Sequence, residues 1–369
     1  MPDGVIGGEI IVAFVNPPAK LHTVATINPP RFIDNGTLSM SQKPHLTFDL
    51  DEPGVNKGYL VVPTGTDREA LPLPVLSLNK GEGPRLLITA GIHGDEFEGP
   101  IVALRLIDWL IEAQTCGRVL IAPMLNPTAL EAWSRRSPVD RLDLNRVFPG
   151  RPNGSISERT ASAVSELLLP TVDMVFDLHS FGPKFDCPPA ATTHPIGDAD
   201  LMRKTLNMAA AFKFPVTLAW DGPTQGMFDT LVQSQGKVFV CAELGSGTVS
   251  ADALAVAEAG VRNAIIELGL VEGKTEYPTP RQMKTNLTLE SLTSDQLTSP
   301  ARGIFEPRCS VLDELSEGDL VGLLHPLDPW SSKAIEIRAP TTSIVCSLRT
   351  GMQVDVNDGL VYLARPLNL

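Results

Sequence analysis

Residues 85–113, RLLITAGIHGDEFEGPIVALRLIDWLIEA, decide the fold. The run Arg85-Leu-Leu-Ile-Thr-Ala90 is short and apolar and ends at Gly91, as expected of a buried strand that stops at a functional loop. From Gly99 to Ala113, apolar residues recur at helical spacing, which predicts a helix with one face toward a core. A strand, a glycine-rich loop and a helix in this order are typical of an α/β protein.

The same alternation continues on both sides of this stretch. Short apolar runs predict further strands at 59–63, 73–78, 119–123, 174–178 and 238–242. Apolar periodicity predicts helices at 157–169, 199–212 and 251–268. The sequence therefore predicts an α/β fold with a mostly parallel, mixed sheet and flanking helices, in which functional sites gather at the carboxyl ends of strands.

Composition divides the chain into four parts. Residues 1–48 contain a strand-like run at 10–15 that is followed by prolines, which indicates an N-terminal extension. Residues 49–275 carry the predicted α/β domain. Residues 276–300 are rich in Pro, Thr and Ser and are typical of a linker. In residues 301–369, short strand patterns alternate with turn residues, which predicts a small all-β domain.

Charge and composition exclude several classes of protein. A formal net charge of −13 would repel nucleic acid and anionic membranes. It would favour a cation, although the alternative that the acidity only serves solubility stays open. The five cysteines form no Cys-x-x-Cys pair, so neither a zinc knuckle nor a disulfide scaffold is indicated, and we expect buried thiols. The first residues lack the pattern of a secretory signal, and no apolar run is long enough to span a membrane. We therefore expect a cytoplasmic protein.

Two histidines stand at the ends of predicted strands. His93 and Glu96 lie three residues apart in the loop quoted above, and His179 follows the strand at 174–178. Two histidines and one glutamate leave a fourth position open for water, as catalytic zinc sites do. A surface pair or a core histidine is the alternative, but the chain has only six histidines and two of them meet this pattern. Asp177 is a candidate to orient the His179 ring.

Hydrolysis at such a site also needs a carboxylate that accepts a proton from water. Glu243 is the best candidate, because it closes the strand at 238–242 and precedes Leu244-Gly245, so that its side chain should emerge at the same carboxyl edge. Glu98 is a competitor, but its position two residues beyond Glu96 predicts that it points elsewhere once the helix begins.

The segment 135–150, RRSPVDRLDLNRVFPG, holds four arginines. A guanidinium binds a substrate carboxylate through two parallel hydrogen bonds, and a second arginine can stabilise an oxyanion that develops on an amide carbonyl. A solvated basic loop is the alternative, and it stays open for Arg141. For Asn145 and Arg146 we favour a functional role.

Together these motifs resemble the succinylglutamate desuccinylase and aspartoacylase family, whose members are related to zinc carboxypeptidases. The resemblance covers about residues 60–365. It rests on four motifs in the same order: Gly-x-His-Gly-Asp-Glu at 91–96, Asp-Leu-Asn-Arg at 143–146 with Phe148-Pro149-Gly150, Asp-Leu-His at 177–179, and Glu-Leu-Gly at 243–245. Any one of them could arise by chance, but four in order make chance agreement improbable.

The resemblance implies a zinc hydrolase domain over residues 49–275 with one zinc ion per chain. It implies that His93, Glu96 and His179 are the zinc ligands. It also implies that Glu243 activates the water and later protonates the leaving amine.

Further residues follow from the same resemblance. It implies that Asn145 and Arg146 hold the substrate carboxylate. An arginine that polarises the scissile carbonyl is implied in the same loop, with Arg135 as first choice and Arg136 as second. The β domain over 301–369 resembles a barrel-like domain that packs near the active site in this family and shapes access to it.

Two short sequence motifs resemble one branch of the family, the ectoine-degradation deacetylases, which remove acetate from N-acetyl-diaminobutyrate. They are Arg-x-Ser-Pro-x-Asp at 135–140 and Gly303-Ile-Phe-Glu-Pro307. The implied substrate is a small N-acyl amino acid of the N-acetyl-diaminobutyrate, N-acetylaspartate or succinylglutamate type. The alternatives are a zinc carboxypeptidase that acts on peptides, or a non-catalytic metal-binding or scaffold protein. The oligomeric state stays open, a homo-oligomer included.

Overall fold

The computed structural model describes residues 43–64, 70–222, 224–247, 249–276, 287–328, 330 and 333–367. These residues all fall within one unit of the chain, residues 32–369. The predicted strand at 10–15 and most of the predicted extension lie outside the described residues. The division into a catalytic domain, a linker and a β domain stays a prediction.

Strands outnumber helices in the described ranges. The strands are β1 His45–Leu46, β2 Gly54–Pro63, β3 Ala70–Asn79, β4 Arg85–Ala90, β5 Arg118–Ala122, β6 Met174–His179, β7 Phe185–Asp186, β8 Ala190–Thr193, β9 Val216–Trp220, β10 Val238–Glu243, β11 Leu287–Ser291, β12 Gln296–Thr298, β13 Gly303–Pro307, β14 Glu314–Leu315, β15 Leu320–Pro326, β16 Ile335–Arg338, β17 Ser343–Arg349, β18 Gln353–Val354 and β19 Gly359–Pro366. The helices are α1 Glu98–Glu112, α2 Pro127–Glu131, α3 Ile156–Ala163, α4 Ala199–Ala211, α5 Phe228–Ser234 and α6 Ala251–Glu267.

Most of the strands join one large mixed sheet. Its order is β1-β2-β3-β5-β4-β6-β10-β8-β9-β11-β19-β17-β14, with β12 added on β19 and β7 on β17. Strands β5, β4, β6 and β10 are mutually parallel, and β8, β9 and β11 form a second parallel group. Antiparallel strands extend the sheet at both ends. The predicted α/β fold with a mixed, mostly parallel sheet and flanking helices is confirmed.

The central strands are mostly apolar because both faces of the sheet are covered. In β4, Leu86 and Ile88 pack with α1, α4 and α6 on one face, whereas Leu87 packs with α3 and α5 on the other. All three side chains are fully buried, and each burial stabilises the fold by roughly 1.5–3 kcal/mol. Buried polar groups are costly, so polar function is confined to the strand ends.

The carboxyl ends of β4, β6 and β10 meet at one edge of this sheet. Ala90 pairs with Leu178 across β4 and β6, and His179 pairs with Glu243 across β6 and β10. The residues that follow β4, and the last residues of β6 and β10, therefore converge at this edge. This convergence positions the site.

The C-terminal strands continue the large sheet and also form a second one. Strand β11 pairs in parallel with β9, and β19 then pairs antiparallel with β11. Strands β16, β15, β13 and β18 form a separate antiparallel sheet. The fully buried ring of Phe305 lies in the hydrophobic cluster that includes side chains of both sheets.

Some elements differ from their predicted form. The pattern at 311–315 predicts a strand, but only Glu314–Leu315 pairs. Strand β17 has no counterpart in the predictions, because it is buried at every position and shows no alternation of polar and apolar residues. Cys187 and Cys346 are buried thiols as predicted, whereas Cys116 is exposed. None of the helices in the described ranges has the length and apolar character that crossing a bilayer requires.

Candidate metal centre and active site

The loop between β4 and α1 brings His93 and Glu96 inward. Gly94 has to be glycine, because a Cβ atom there would lie 2.0 Å from the backbone carbonyl of Ala129. Its N–H donates to the Ser134 carbonyl at 3.0 Å, which fixes the loop against the segment after α2. As a result His93 and Glu96 are each only 3% exposed.

His93, Glu96 and His179 form one compact group of possible metal ligands. One ligand atom from each residue lies within 4.8 Å of the other two. His93 Nδ1 is 2.8 Å from Glu96 Oε1, and His179 Nδ1 is 2.9 Å from Glu96 Oε2. The buried His93 Nδ1 nevertheless makes no hydrogen bond within the described part of the chain. Two imidazole nitrogens and a carboxylate facing one point are the donor set that zinc takes in catalytic sites.

The second nitrogen of each imidazole faces a carboxylate. His179 Nε2 lies 2.8 Å from Asp177 Oδ2, while Thr89 donates its hydroxyl to Asp177 Oδ1 at 2.6 Å. His93 Nε2 lies 3.2 Å from Asp143 Oδ1. For neutral imidazoles, these contacts favour the proton on Nε2 and leave Nδ1 as the atom that would bind a cation. The predicted contact of Asp177 with His179 is confirmed.

The charges in this group depend on one another. Burial opposes ionisation of Glu96, but His93 and His179 outweigh it and hold the pKa of this carboxyl well below its usual value. Burial likewise opposes a charge on His179, but Asp177 and Glu96 raise its pKa well above the usual value. For His93, Glu96 and Asp143 overcome burial and raise the pKa. The metal-free group therefore holds protons that a cation would displace.

Glu243 ends strand β10 beside this group, as predicted. Cys241 donates its thiol to Glu243 Oε1 at 3.6 Å, whereas the buried Oε2 has no hydrogen-bond partner among the described residues. Burial, reinforced by the negative charge of Glu96, raises the pKa of Glu243 to about 7. A carboxyl group with this pKa can accept and return a proton near neutral pH. Glu98 is also fully buried, but it does not line the cavity described below.

The two candidate arginines, Arg135 and Arg136, differ in whether they reach the cavity. Arg135 Nη1 donates to Glu96 Oε1 at 3.2 Å, and its Nε donates to Asp143 Oδ2 at 3.1 Å. The Arg135 side chain remains 45% exposed and lines the cavity. Arg136 is exposed and does not line it.

Asn145 and Arg146 lie on a short 3-10 turn that also borders the cavity. The Asn145 side-chain oxygen accepts the N–H of Phe228 at 2.9 Å, so this side chain holds the start of α5. Arg146 Nη1 donates to the Asn145 carbonyl at 2.7 Å and is otherwise exposed. Arg141 adopts a positive φ of 62° in an exposed part of the same loop and does not line the cavity.

One cavity of about 440 Å³ contains most of the predicted site residues. Its lining includes His93, Glu96, His179, Glu243, Arg135, Asn145 and Arg146. The C-terminal strands complete the opposite wall through Ser291, Gln296, Cys346 and Tyr362. The Tyr362 ring packs edge-on against Phe181 and Phe185, with centroids 6.0 Å and 5.6 Å away. The volume suits a small molecule.

Sequence reasoning assigned no role to Asp143, Asp229 or Tyr362. Asp143 belongs to the Asp-Leu-Asn-Arg motif, and the rule that a ligand histidine needs a carboxylate partner could have singled it out. Asp229 and Tyr362 stand in no motif, and only the fold brings them to the cavity.

Comparisons with known proteins agree with this geometry. Residues 82–268 match the succinylglutamate desuccinylase/aspartoacylase catalytic domain model. The chain is 35% identical over 324 residues to the N-alpha-acetyl-L-2,4-diaminobutyric acid deacetylase of Halomonas elongata, covering 86% of this chain and 94% of that protein.

Solved structures show the same fold. An aspartoacylase family protein from Mesorhizobium loti is 56% identical and superimposes with a TM-score of 0.81, over 89% of this chain and 100% of that one. The product-bound ectoine utilization protein EutE (DoeB) from Ruegeria pomeroyi is 31% identical with a TM-score of 0.79, over 88% and 99% of the two chains. The chain therefore belongs to the succinylglutamate desuccinylase/aspartoacylase family.

Proposed function

We propose that this protein is a zinc-dependent deacylase that hydrolyses the amide bond of a small N-acyl amino acid. One observation carries the proposal. His93 Nδ1, Glu96 and His179 Nδ1 face one point in the cavity. Glu243 lines the same cavity, and one of its carboxylate oxygens has no hydrogen-bond partner in the described ranges. A ligand group with a neighbouring proton acceptor is the minimum that metal-assisted hydrolysis needs.

The residues present fit a zinc ion. His93 Nδ1 is buried without a hydrogen bond in the described part of the protein, and both Nε2 atoms face carboxylates that orient the rings. Bound zinc would polarise the acyl carbonyl and lower the pKa of water to about 7. The protein holds the ligands in place and keeps them buried.

Glu243 serves as the general base and then as the general acid. Its carboxylate takes a proton from the water whose oxygen adds to the acyl carbon. When the C–N bond breaks, the acyl group leaves as a carboxylic acid and Glu243 returns the proton to the leaving amine. Burial raises the pKa of Glu243, which favours proton uptake by this carboxylate.

The arginines bind and polarise the substrate. Arg146, with Asn145 beside it, binds the substrate carboxylate, since a guanidinium matches a carboxylate geometrically. Arg135 polarises the scissile carbonyl, and we prefer it to Arg136 because only Arg135 lines the cavity. The named activity of the Halomonas elongata relative supports an N-acetyl-diaminobutyrate type of substrate.

A substrate panel with parallel metal analysis tests the proposal. Purified protein is analysed for metal by mass spectrometry and supplied with zinc. It is then assayed for amine release from N-acetyl-diaminobutyrate, N-acetylaspartate, succinylglutamate, dipeptides and longer peptides. We expect about one zinc per chain and turnover of N-acyl amino acids only. Turnover of longer peptides would favour a carboxypeptidase, and tight zinc without any turnover would favour a non-catalytic protein.

A further inference from the structure

One acidic side chain of the cavity has no role in the chemistry above. Three other acids of the cavity belong to the metal group or act beside it, namely Glu96, Asp177 and Glu243. Asp221 is exposed, and its side chain accepts the N–H and the hydroxyl of Thr293. Asp229, in the first turn of α5, also lines the cavity but is only 6% exposed. It is therefore a buried carboxylate that faces the space where a substrate would bind.

Asp229 accepts hydrogen bonds within its own helix and lies beside a histidine. Its Oδ1 accepts the N–H of Thr230 at 2.5 Å, and His194 Nδ1 lies 3.1 Å from its Oδ2. Among the residues that the structure describes, no lysine or arginine pairs with it. Buried carboxylates are normally paired with a cation, and the one ionisable side chain that pairs with Asp229 in the described ranges is His194. A permanently charged partner is left for a ligand to supply.

Several uncharged side chains line the cavity together with Asp229. Leu218, Met227 and Phe239 line the same cavity, together with the neutral polar side chains of Thr192, Thr193 and Cys241. In such surroundings a charge interaction is screened less than in water. A ligand cation at Asp229 would be recognised strongly, whereas a ligand carboxylate there would be repelled.

Asp229 is joined structurally to the residues that bind the carboxylate. The Asn145 side chain accepts the N–H of Phe228, which precedes Asp229, and the Phe148 ring stacks on the Phe228 ring at 4.5 Å. The N–H of Phe148 also donates to the Gly226 carbonyl at 2.9 Å. These contacts hold the start of α5 against the turn that carries Arg146, so that the Asp229 carboxylate and the Arg146 guanidinium are carried by two connected segments.

We propose that Asp229 binds the side-chain ammonium group of the substrate, so that the enzyme selects N-acyl diamino acids over N-acyl derivatives of neutral or acidic amino acids. The inference rests on the proposed function and deepens it. The substrate would then present three groups to three partners: its amide to the metal group and Glu243, its carboxylate to Arg146, and its ammonium to Asp229.

Two substrates that differ only in the cation test this proposal. Nα-acetyl-2,4-diaminobutyrate and Nα-acetylnorvaline have side chains of equal length, but a methyl group replaces the ammonium in the second. We expect the zinc-loaded enzyme to prefer the diamino substrate by about 100-fold in kcat/KM, because the apolar analogue leaves the buried carboxylate unpaired. N-acetylglutamate should be poorer still.

Two variants test whether Asp229 causes the preference for the diamino substrate. Asp229→Asn keeps an acceptor for the Thr230 N–H but removes the charge, and it should collapse the ratio of the two kcat/KM values to within about threefold of one. The matched control is Asp221→Asn, another acid of the cavity wall, which should keep the ratio. A ratio that survives in Asp229→Asn, or that collapses in Asp221→Asn alone, would overturn the proposal.

A binding measurement separates this proposal from the proposed function. Calorimetry of the zinc-loaded protein with the product 2,4-diaminobutyrate and with norvaline needs no turnover. Tighter binding of the diamino acid, lost in Asp229→Asn, supports the subsite even if no substrate is cleaved. Equal binding of the two amino acids by the unmodified protein would reject the subsite even if the deacylase activity is found.

Discussion

His179 and Glu243 are Cα partners on adjacent parallel strands, His179 at the end of β6 and Glu243 at the end of β10. Side chains at paired positions point to the same face of a sheet, and the strands lie about 4.8 Å apart. Backbone hydrogen bonding therefore sets the separation between one ligand of the candidate metal group and the candidate base. A slip of one residue in β10 would turn Glu243 to the opposite face.

Replacing the proposed base should separate catalysis from metal binding. Glu243→Gln should retain bound zinc but lose turnover by about 10²–10⁴-fold, because the amide cannot take up the proton. Zinc content and kcat are measured on the same preparation. Glu98→Gln is the control, since Glu98 is buried near the site without lining the cavity. Loss of turnover in Glu98→Gln with activity kept in Glu243→Gln would identify Glu98 as the base instead.

Zinc binding should weaken as the pH falls through neutrality. The pKa values of His93 and His179 are raised in the metal-free protein, because neighbouring carboxylates outweigh burial. Zinc has to displace these protons, so its apparent affinity should decrease by about tenfold or more per pH unit below the raised values. A competing chelator measures this between pH about 8 and about 6.

The same competition with a chelator, repeated on histidine variants, tests which residues bind zinc. His93→Ala should lose zinc at every pH, whereas His325→Ala, which alters an exposed histidine paired with Glu306, should not. An affinity that does not change with pH, or zinc retained by His93→Ala, would contradict the assignment.

The carboxylate behind His179 should tune zinc affinity. In Asp177→Asn the amide can present its NH₂ group to His179 Nε2 and disturb the tautomer, so zinc affinity should fall by about 10–100-fold. Asp173→Asn is the matched control, because Asp173 lies just before the same strand but is exposed and paired with Arg85. Equal zinc affinity in both variants would mean that Asp177 serves only packing through Thr89.

Truncating the two neighbouring arginines should give unequal results. Arg135→Ala should lower kcat by about 10²-fold, the usual effect of losing one oxyanion donor. Arg136→Ala should stay within about twofold of the unmodified enzyme, as expected of an exposed side chain. Zinc content is measured in parallel, because Arg135 also contacts Glu96. The reverse order of effects would transfer the role to Arg136.

The tight loop at Gly94 should tolerate no side chain. Gly94→Ala would bring a Cβ atom to 2.0 Å from the Ala129 carbonyl, so the loop has to move at a cost of about 3 kcal/mol in the free energy of unfolding. Gly197→Ala has open space around the new methyl group and should leave stability nearly unchanged. Chemical denaturation of both variants measures the difference. Equal midpoints would show that the loop adapts freely.

Strand ends could be predicted from the sequence, and contacts between distant segments could not. His93, His179 and Glu243 each follow or end an apolar run, so a parallel sheet alone is enough to bring them to one edge. The contact between His93 and Asp143 spans 50 residues of chain and depends on the path of an irregular loop. No local pattern encodes that path.

The residues of the cavity wall were even harder to predict from the sequence. Tyr362 reaches the cavity only because β19 joins the sheet through β11, and the parallel pairing of β11 with β9 has no signal in its short sequence. Asp229 lies in a seven-residue helix whose position is set by the Asn145 side chain. Such positions follow from tertiary packing, which overrides local preference.

The pairing of β11 with β9 also protects the protein from association. Without β11, the outer side of β9 would present a row of unsatisfied N–H and C=O groups, and Val216 to Trp220 is an apolar, β-prone segment. Exposed edges of this kind recruit strands from other molecules. Deletion of β11 would therefore remove Ser291 from the cavity lining and, in addition, expose the edge of β9, so we expect the shortened protein to aggregate.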